Sequence, residues 1–216
     1  MQINATSLSV AIRQELANSI SHGVGILFAI IAIPILLAIA AATENVAGII
    51  GASIYGFSFL FMYTSSTLYH SFQQPNIKKI FKTFDHISIY FLIAGSYTPF
   101  ILIGMLNSTG ILLLCILWTI VLLGTIFKIF FVGRFKLVST LLYLGMGWMA
   151  VFVAGPFMEA LSTATLTLIA AGGILYTIGV FFYMSKKLVY SHAIWHFFVF
   201  AASICHFVAV LLALQQ

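Results

Sequence analysis

The run GILLLCILWTIVLLGTIFKIFFV, Gly110 to Val132, carries one charged side chain, Lys128, close to its end. A helix crossing a hydrocarbon core of about 30 Å needs about 20 predominantly apolar residues, and this run supplies them. Six other runs share its character: Ile20 to Ala41, Val46 to Phe72, Phe84 to Leu106, Lys136 to Phe157, Leu161 to Met184 and Ser191 to Leu214. With 62% hydrophobic and 6% charged residues and a mean hydropathy of +1.16, the chain is too apolar for a soluble domain. The sequence therefore predicts an all-α integral membrane protein. Residues 20–214 are expected to form a seven-transmembrane helix bundle, preceded by a cytoplasmic N-terminal segment, residues 1–19. The first apolar run is long enough to span and no cleavable leader pattern precedes it, so it is expected to be retained as helix one. Only short polar connections remain, which leaves all chemistry to the bundle, its loops and the N-terminal segment.

The net charge is +5, from nine basic and four acidic residues. In a soluble chain this would raise the question of nucleic acid; here the positions of the charges argue for membrane topology instead. Arg13 precedes helix one. Lys78, Lys79 and Lys82 fall between helices two and three, Lys128, Arg134 and Lys136 around the connection from four to five, and Lys186 and Lys187 between six and seven. Glu44 and Glu159 lie in the connections of the other side. The positive-inside rule then predicts a cytoplasmic N-terminus and an outer C-terminus, with no nucleic-acid partner. Cys115 and Cys205 lie inside helices and read as small packing residues, while Pro34 and Pro99 are expected to kink helices one and three. No internal repeat of the transporter kind is visible.

Ionisable groups are expensive in a bilayer, so their shared depth is informative. In SSTLYHSF, Ser65 to Phe72, Ser66 lies one turn from His70 on the same face, at the cytoplasmic end of helix two. Asp85 and His86 are expected to begin helix three at that level, and SHAIWHFF brings His192 and His196 there with i, i+4 spacing. His22 marks the same level on helix one. Two histidines from one helix face and a third from another leave a fourth position open for water, the pattern of a catalytic zinc site. Three neutral imidazoles would leave Zn2+ with its full charge, and Asp85, the one aspartate of the chain, is placed to offset it. Ser66 would be a second hydrogen-bonding partner for the water, and Asp85 its proton acceptor and donor.

Other readings use the same residues. An HxxxH pair also describes two interfacial histidines at headgroup level, and Asp85 could be the N-cap of helix three. His86 points about 100° away from Asp85, towards headgroups or a neighbouring helix. His206 lies about 15 Å along the helix from His196 and reads as a buried structural histidine of the outer half. Glu15, Asn18 and His22 follow i, i+3, i+7 spacing and would share a face under the site if ELANSISH is helical. Otherwise Glu15 is a solvated charge paired with a loop cation.

The set ELANSISHGVG, SSTLYHSF, FDHISIYFLIAGSYTPF and SHAIWHFF resembles the hemolysin III family, bacterial members of the progestin and adipoQ receptor (PAQR) superfamily. The resemblance covers nearly the whole chain. It implies a seven-helix fold with a cytoplasmic N-terminus and a zinc site held by His70, His192 and His196. Ser66 and Asp85 would organise the water, with Glu15, Asn18, Ser21 and His22 in support. The ceramidase-like relatives imply a zinc-dependent membrane amidohydrolase that takes a membrane lipid or fatty-acyl ligand, in a cell membrane of the bacterial inner type. Two alternatives stand beside it: a receptor-like or regulatory protein whose zinc is structural, and a haemolysin, as the family name suggests. A retinal Schiff base would need a lysine deep in a helix, and none of the lysines is expected to be deep.

Overall fold

The computed structural model describes residues 5–185 and 187–216; Lys186, one of the cations used for the topology, lies outside the described residues. The helices are α1 (Ala5–Ala42), α2 (Val46–Ser71), α3 (Pro75–Gly104), α4 (Ser108–Phe131), α5 (Lys136–Gly147), α6 (Ala154–Ala160), α7 (Thr163–Met184) and α8 (Ser191–Ala213). A 3-10 turn, Met149–Val153, joins α5 to α6. Among the described residues, seven helical segments are long and apolar enough to cross a membrane, the fifth being α5, the 3-10 turn and α6 together. The chain is a multi-pass bundle of alternating spans, so the start of α1, the ends of α2, α4 and α7 and the starts of α3, α5 and α8 share one end. That end carries the described lysines and arginines and is called the basic end below.

Three boundaries differ from the sequence reading. Helix one begins at Ala5, not Ile20, because ELANSISH continues the helix and packs its polar face inward instead of fraying. Helix three begins at Pro75, whose fixed φ suits the first helical turn, so Asp85 is well inside the helix and Gln74, not Asp85, is the N-cap. The fifth span is interrupted where Gly145, Gly147 and Gly155 weaken the helix. There the Tyr97 hydroxyl donates to the Gly147 carbonyl at 2.6 Å and accepts from the Ala150 amide at 3.1 Å. Those two bonds satisfy backbone groups that a break in the hydrocarbon would otherwise orphan. Cys115 is exposed on the surface, not packed inside, because its face of α4 looks outward.

At the opposite end the helix starts are capped by side chains. Asn45 accepts from Gly48 N at 3.1 Å, Asn107 from Gly110 N at 3.0 Å and Ser162 from Thr165 N at 3.3 Å. These caps satisfy free amides at the first turns of α2, α4 and α7 and allow connections of two or three residues.

The third helix is central, packing against α2, α4, α5 and α8. Without a hydrophobic drive between helices in lipid, close approach at small residues does the work. Gly51 of α2 lies against α3 so closely that a Cβ there would come within 2.6 Å of the Pro99 Cα. Polar side chains in the interior are tied to one another: Tyr63 donates to Ser203 Oγ at 3.0 Å, Tyr176 pairs with the same oxygen at 2.9 Å, and Tyr55 donates to the Ser203 carbonyl at 3.2 Å. The outer surface is apolar all round, with Leu27, Ile31, Phe130, Phe152 and Phe181 all exposed. Replacing Gly51 by valine forces Pro99 backbone to move, a relaxation that a flexible side chain could make but a helix cannot. Thermal unfolding in detergent should show a loss of about 1–3 kcal/mol relative to wild type.

Candidate metal centre

At the basic end two helices bring three histidines together. His70 lies in the last turn of α2, and His192 and His196 lie one turn apart in the first two turns of α8. The ring centroids are 5.0 Å apart for His70 and His192, 5.3 Å for His70 and His196, and 4.6 Å for His192 and His196. One nitrogen from each lies within 4.8 Å of the other two. Three nitrogens on one tetrahedral zinc at 2.0–2.1 Å would be about 3.4 Å apart, so small side-chain rotations close the set. His70, His192 and His196 could therefore hold a metal ion.

The unused hydrogen-bonding capacity of the rings supports that reading. Nε2 of His70, His192 and His196 is in each case buried with no hydrogen-bond partner. Such an atom costs free energy in a poorly solvated interior unless something occupies it. The opposite nitrogens of two rings are held. His70 Nδ1 donates to Glu15 Oε2 at 2.7 Å, and Glu15 Oε1 also pairs with Lys78 Nζ at 3.0 Å. His196 Nδ1 lies 3.2 Å from the Asn18 carbonyl and 2.9 Å from Ser21 Oγ. Partners on Nδ1 fix the tautomer that leaves Nε2 free, which is how outer groups orient metal-binding histidines.

All of those partners come from α1. The Asn18 side-chain amide lies 3.5 Å from His70 Nδ1. His22 stacks on His196, with centroids 3.5 Å apart and planes 14° from parallel, and both its nitrogens are buried without partners. Gln14 donates to the Val189 carbonyl, closing α1 over the α7–α8 connection. Glu15 thus contacts both Lys78 of α3 and the His70 ring.

Asp85 is buried on α3 within electrostatic reach of His70 and close to the buried Ser66 hydroxyl. The His86 carbonyl accepts from Tyr143 at 3.0 Å, and its ring is within electrostatic reach of Lys82, Lys128 and Lys136 as well as of His192. A mostly apolar cavity with room for about 120 Å³ of water-sized solvent begins at His22 and Asp85. It follows one face of α3 through Ile89, Leu92, Ser96 and Phe100, a path of about 22 Å at 1.5 Å per residue. His206 lines the same cavity and lies outside the histidine cluster. Its Nε2 is 3.4 Å from the Ile169 carbonyl, and Tyr176 meets its ring edge-on at 5.6 Å.

The aromatic packing around His192 was not legible in the sequence. Trp195 and Tyr183 lie 4.9 and 5.9 Å from its ring. In this chain they look no different from the interfacial aromatics that any membrane helix end carries.

Comparison with known proteins agrees with this architecture. Residues 10–207 match the family described as Haemolysin-III related. The chain is 42% identical over 206 residues to Hemolysin-3 of Bacillus cereus, covering 95% of this chain and 94% of that protein. It is 45% identical over 200 residues to the Hemolysin-3 homolog of Bacillus subtilis (strain 168), covering 93% and 94%. The human Monocyte to macrophage differentiation factor is 30% identical over 167 residues, covering 74% of this chain and 69% of its own.

Glu15→Gln keeps the shape of the side chain but removes the negative charge that holds His70. Chelator competition with zinc as the probe should show affinity weakened about 10–100-fold. An affinity equal to wild type would mean that Glu15 takes no part in the site.

Proposed function

We propose that this chain, which belongs to the haemolysin-III-related family, is a zinc-dependent membrane hydrolase that cleaves an acyl bond, an amide being the leading candidate, in a lipid-like substrate. The observation that carries the reading is the convergence of three buried, unsatisfied Nε2 atoms beside His22, which stacks on His196 and, with Asp85, lines an apolar cavity. His70, His192 and His196 would hold the metal, which when bound supplies Lewis acidity and a nucleophilic water near neutral pH. The Glu15 carboxylate keeps the proton of His70 on Nδ1. Asn18 and Ser21 do the same for His196, so both rings are held in the tautomer that leaves the Nε2 lone pair free.

Asp85 is the proton acceptor and then the donor to the leaving group, and Ser66 aims the attacking oxygen by hydrogen bonding. His22, stacked on His196, packs one side of that ring and excludes water from it. The cavity along α3 takes the acyl chain, and its polar end is held at the basic end of the bundle. We place that end, together with residues 5–19 of α1, on the cytoplasmic side from the distribution of lysine and arginine.

A second reading has its own support. The His70 ring lies on α2 and the other two on α8, so a metal there would tie two helices together. That would suit a structural zinc in a receptor-like or regulatory protein. Asp85→Asn separates the two. In a hydrolase it should lower turnover of an acyl-lipid panel by about 100-fold or more and leave the zinc content of the purified protein unchanged. If no lipid in the panel is turned over by zinc-loaded wild type, the hydrolase is refuted and the structural reading stands.

A further inference from the structure

A second polar feature at the basic end takes no part in the histidine site. Lys128 is 1% exposed, one turn before α4 ends. Its Nζ donates to Ser139 Oγ of α5 at 2.6 Å and lies 5.8 and 6.0 Å from the ring centroids of Phe127 and Tyr143. A lysine that only orients the chain in the membrane can sit in solvent, but this one is held inside the bundle at the cost of burying a charge.

Other cations gather around it. Lys82 of α3, Lys128 and Lys136 of α5 are all within electrostatic reach of His86, and Lys82 also of Lys128. The Lys82 ammonium packs over the α4–α5 turn at Gly133, where a Cβ would come within 2.9 Å of it. Gly133 has a φ of 80°, so the turn favours glycine for its backbone as well as for this contact. Arg134 follows it and is exposed. Lys136 reaches across to the Tyr183 carbonyl at 2.8 Å.

Negative charge is scarce here. Of the four acidic residues, Glu15 is engaged by His70 and Lys78. Glu44 and Glu159 lie at the other end of the bundle. Asp85 is within reach of Lys82 but turns to Ser66 and His70 as well. Among the described residues, no carboxylate forms an ion pair with Lys82, Lys128 or Arg134.

We propose that this corner between α3, α4 and α5 binds the phosphate of an anionic phospholipid headgroup. Lys82 and Arg134 contact the phosphate from the surface, and Lys128 adds its charge from behind. The surroundings favour a lipid over a free anion, because the turn is flanked by exposed apolar side chains. Phe130 and Phe135 are 72% and 57% exposed, and Leu137 and Val138 follow on α5. Acyl chains would lie against these while the headgroup meets the cations, the arrangement expected of basic pockets between membrane helices.

The test titrates the purified, zinc-loaded protein in neutral detergent with dioctanoyl phosphatidylglycerol, dioctanoyl phosphatidylcholine or inorganic phosphate, following the thermal unfolding midpoint. Phosphatidylglycerol should raise the midpoint at concentrations where phosphatidylcholine does not. Lys82→Gln and Arg134→Gln should each weaken that response about fivefold, with zinc content unchanged. Equal responses to the two lipids, or variants that respond as wild type, would overturn the site. A full response to inorganic phosphate alone would overturn the lipid as its occupant. Because Lys128→Met removes a buried contact and could impair folding, the two surface variants decide the matter.

Discussion

A polar atom in a bilayer has no water to bind, so each one must be satisfied within the protein or occupied by something else. Most of the interior of this bundle obeys that constraint by pairing. Three tyrosines converge on Ser203, and one tyrosine hydroxyl bridges the broken fifth span between the Gly147 carbonyl and the Ala150 amide. Against that background the free Nε2 atoms of His70, His192 and His196 stand out. They are concentrated in one place, near the buried Ser66 hydroxyl and the Asp85 carboxylate.

The first helix makes this arrangement possible. Its early turns run past the histidines, so that one stretch of α1 delivers Glu15, Asn18, Ser21 and His22 to two different histidine rings, His70 and His196. Glu15 also reaches Lys78 of α3. One carboxylate therefore connects α1, α2 and α3 at the level of the site, and its charge is spent on orienting a ring and pairing a cation together. A loop in place of these turns would lose that rigidity, since sites built on helices hold their geometry better than sites on loops.

The two ends of the molecule use polar groups differently. At the capped end, Asn45, Asn107 and Ser162 satisfy helix amides and little else. At the basic end, polar groups exceed what the backbone needs, and they divide into two sets. One is the histidine site with its acids on α1 and α3; the other is the lysine corner around Ser139 and Gly133. The first has the character of a place for a cation, the second of a place for an anion.

The apolar runs, read by length, were enough to establish seven spans, and the recurrence of lysine and arginine at alternate connections sorted their ends. Spacing of four residues put Ser66 with His70 and His192 with His196 on common faces, because helical geometry is local. Boundaries were less legible: the stretch before Ile20 read as a terminal segment and residues 75–83 as a connection, yet both are helical, and Glu15 of the first pairs with Lys78 of the second, far away in sequence. The same holds for the fifth span, where the Tyr97 hydroxyl, from a distant helix, bonds backbone groups on both sides of the interruption. Thus the sequence by itself determined the membrane class, the number of spans and the residue types able to bind a metal. The tertiary structure decided which imidazole nitrogens are left free, that α1 holds two of the rings, and that Lys128 is buried beside a serine. Those outcomes depend on contacts between helices far apart in the chain, which no local periodicity encodes.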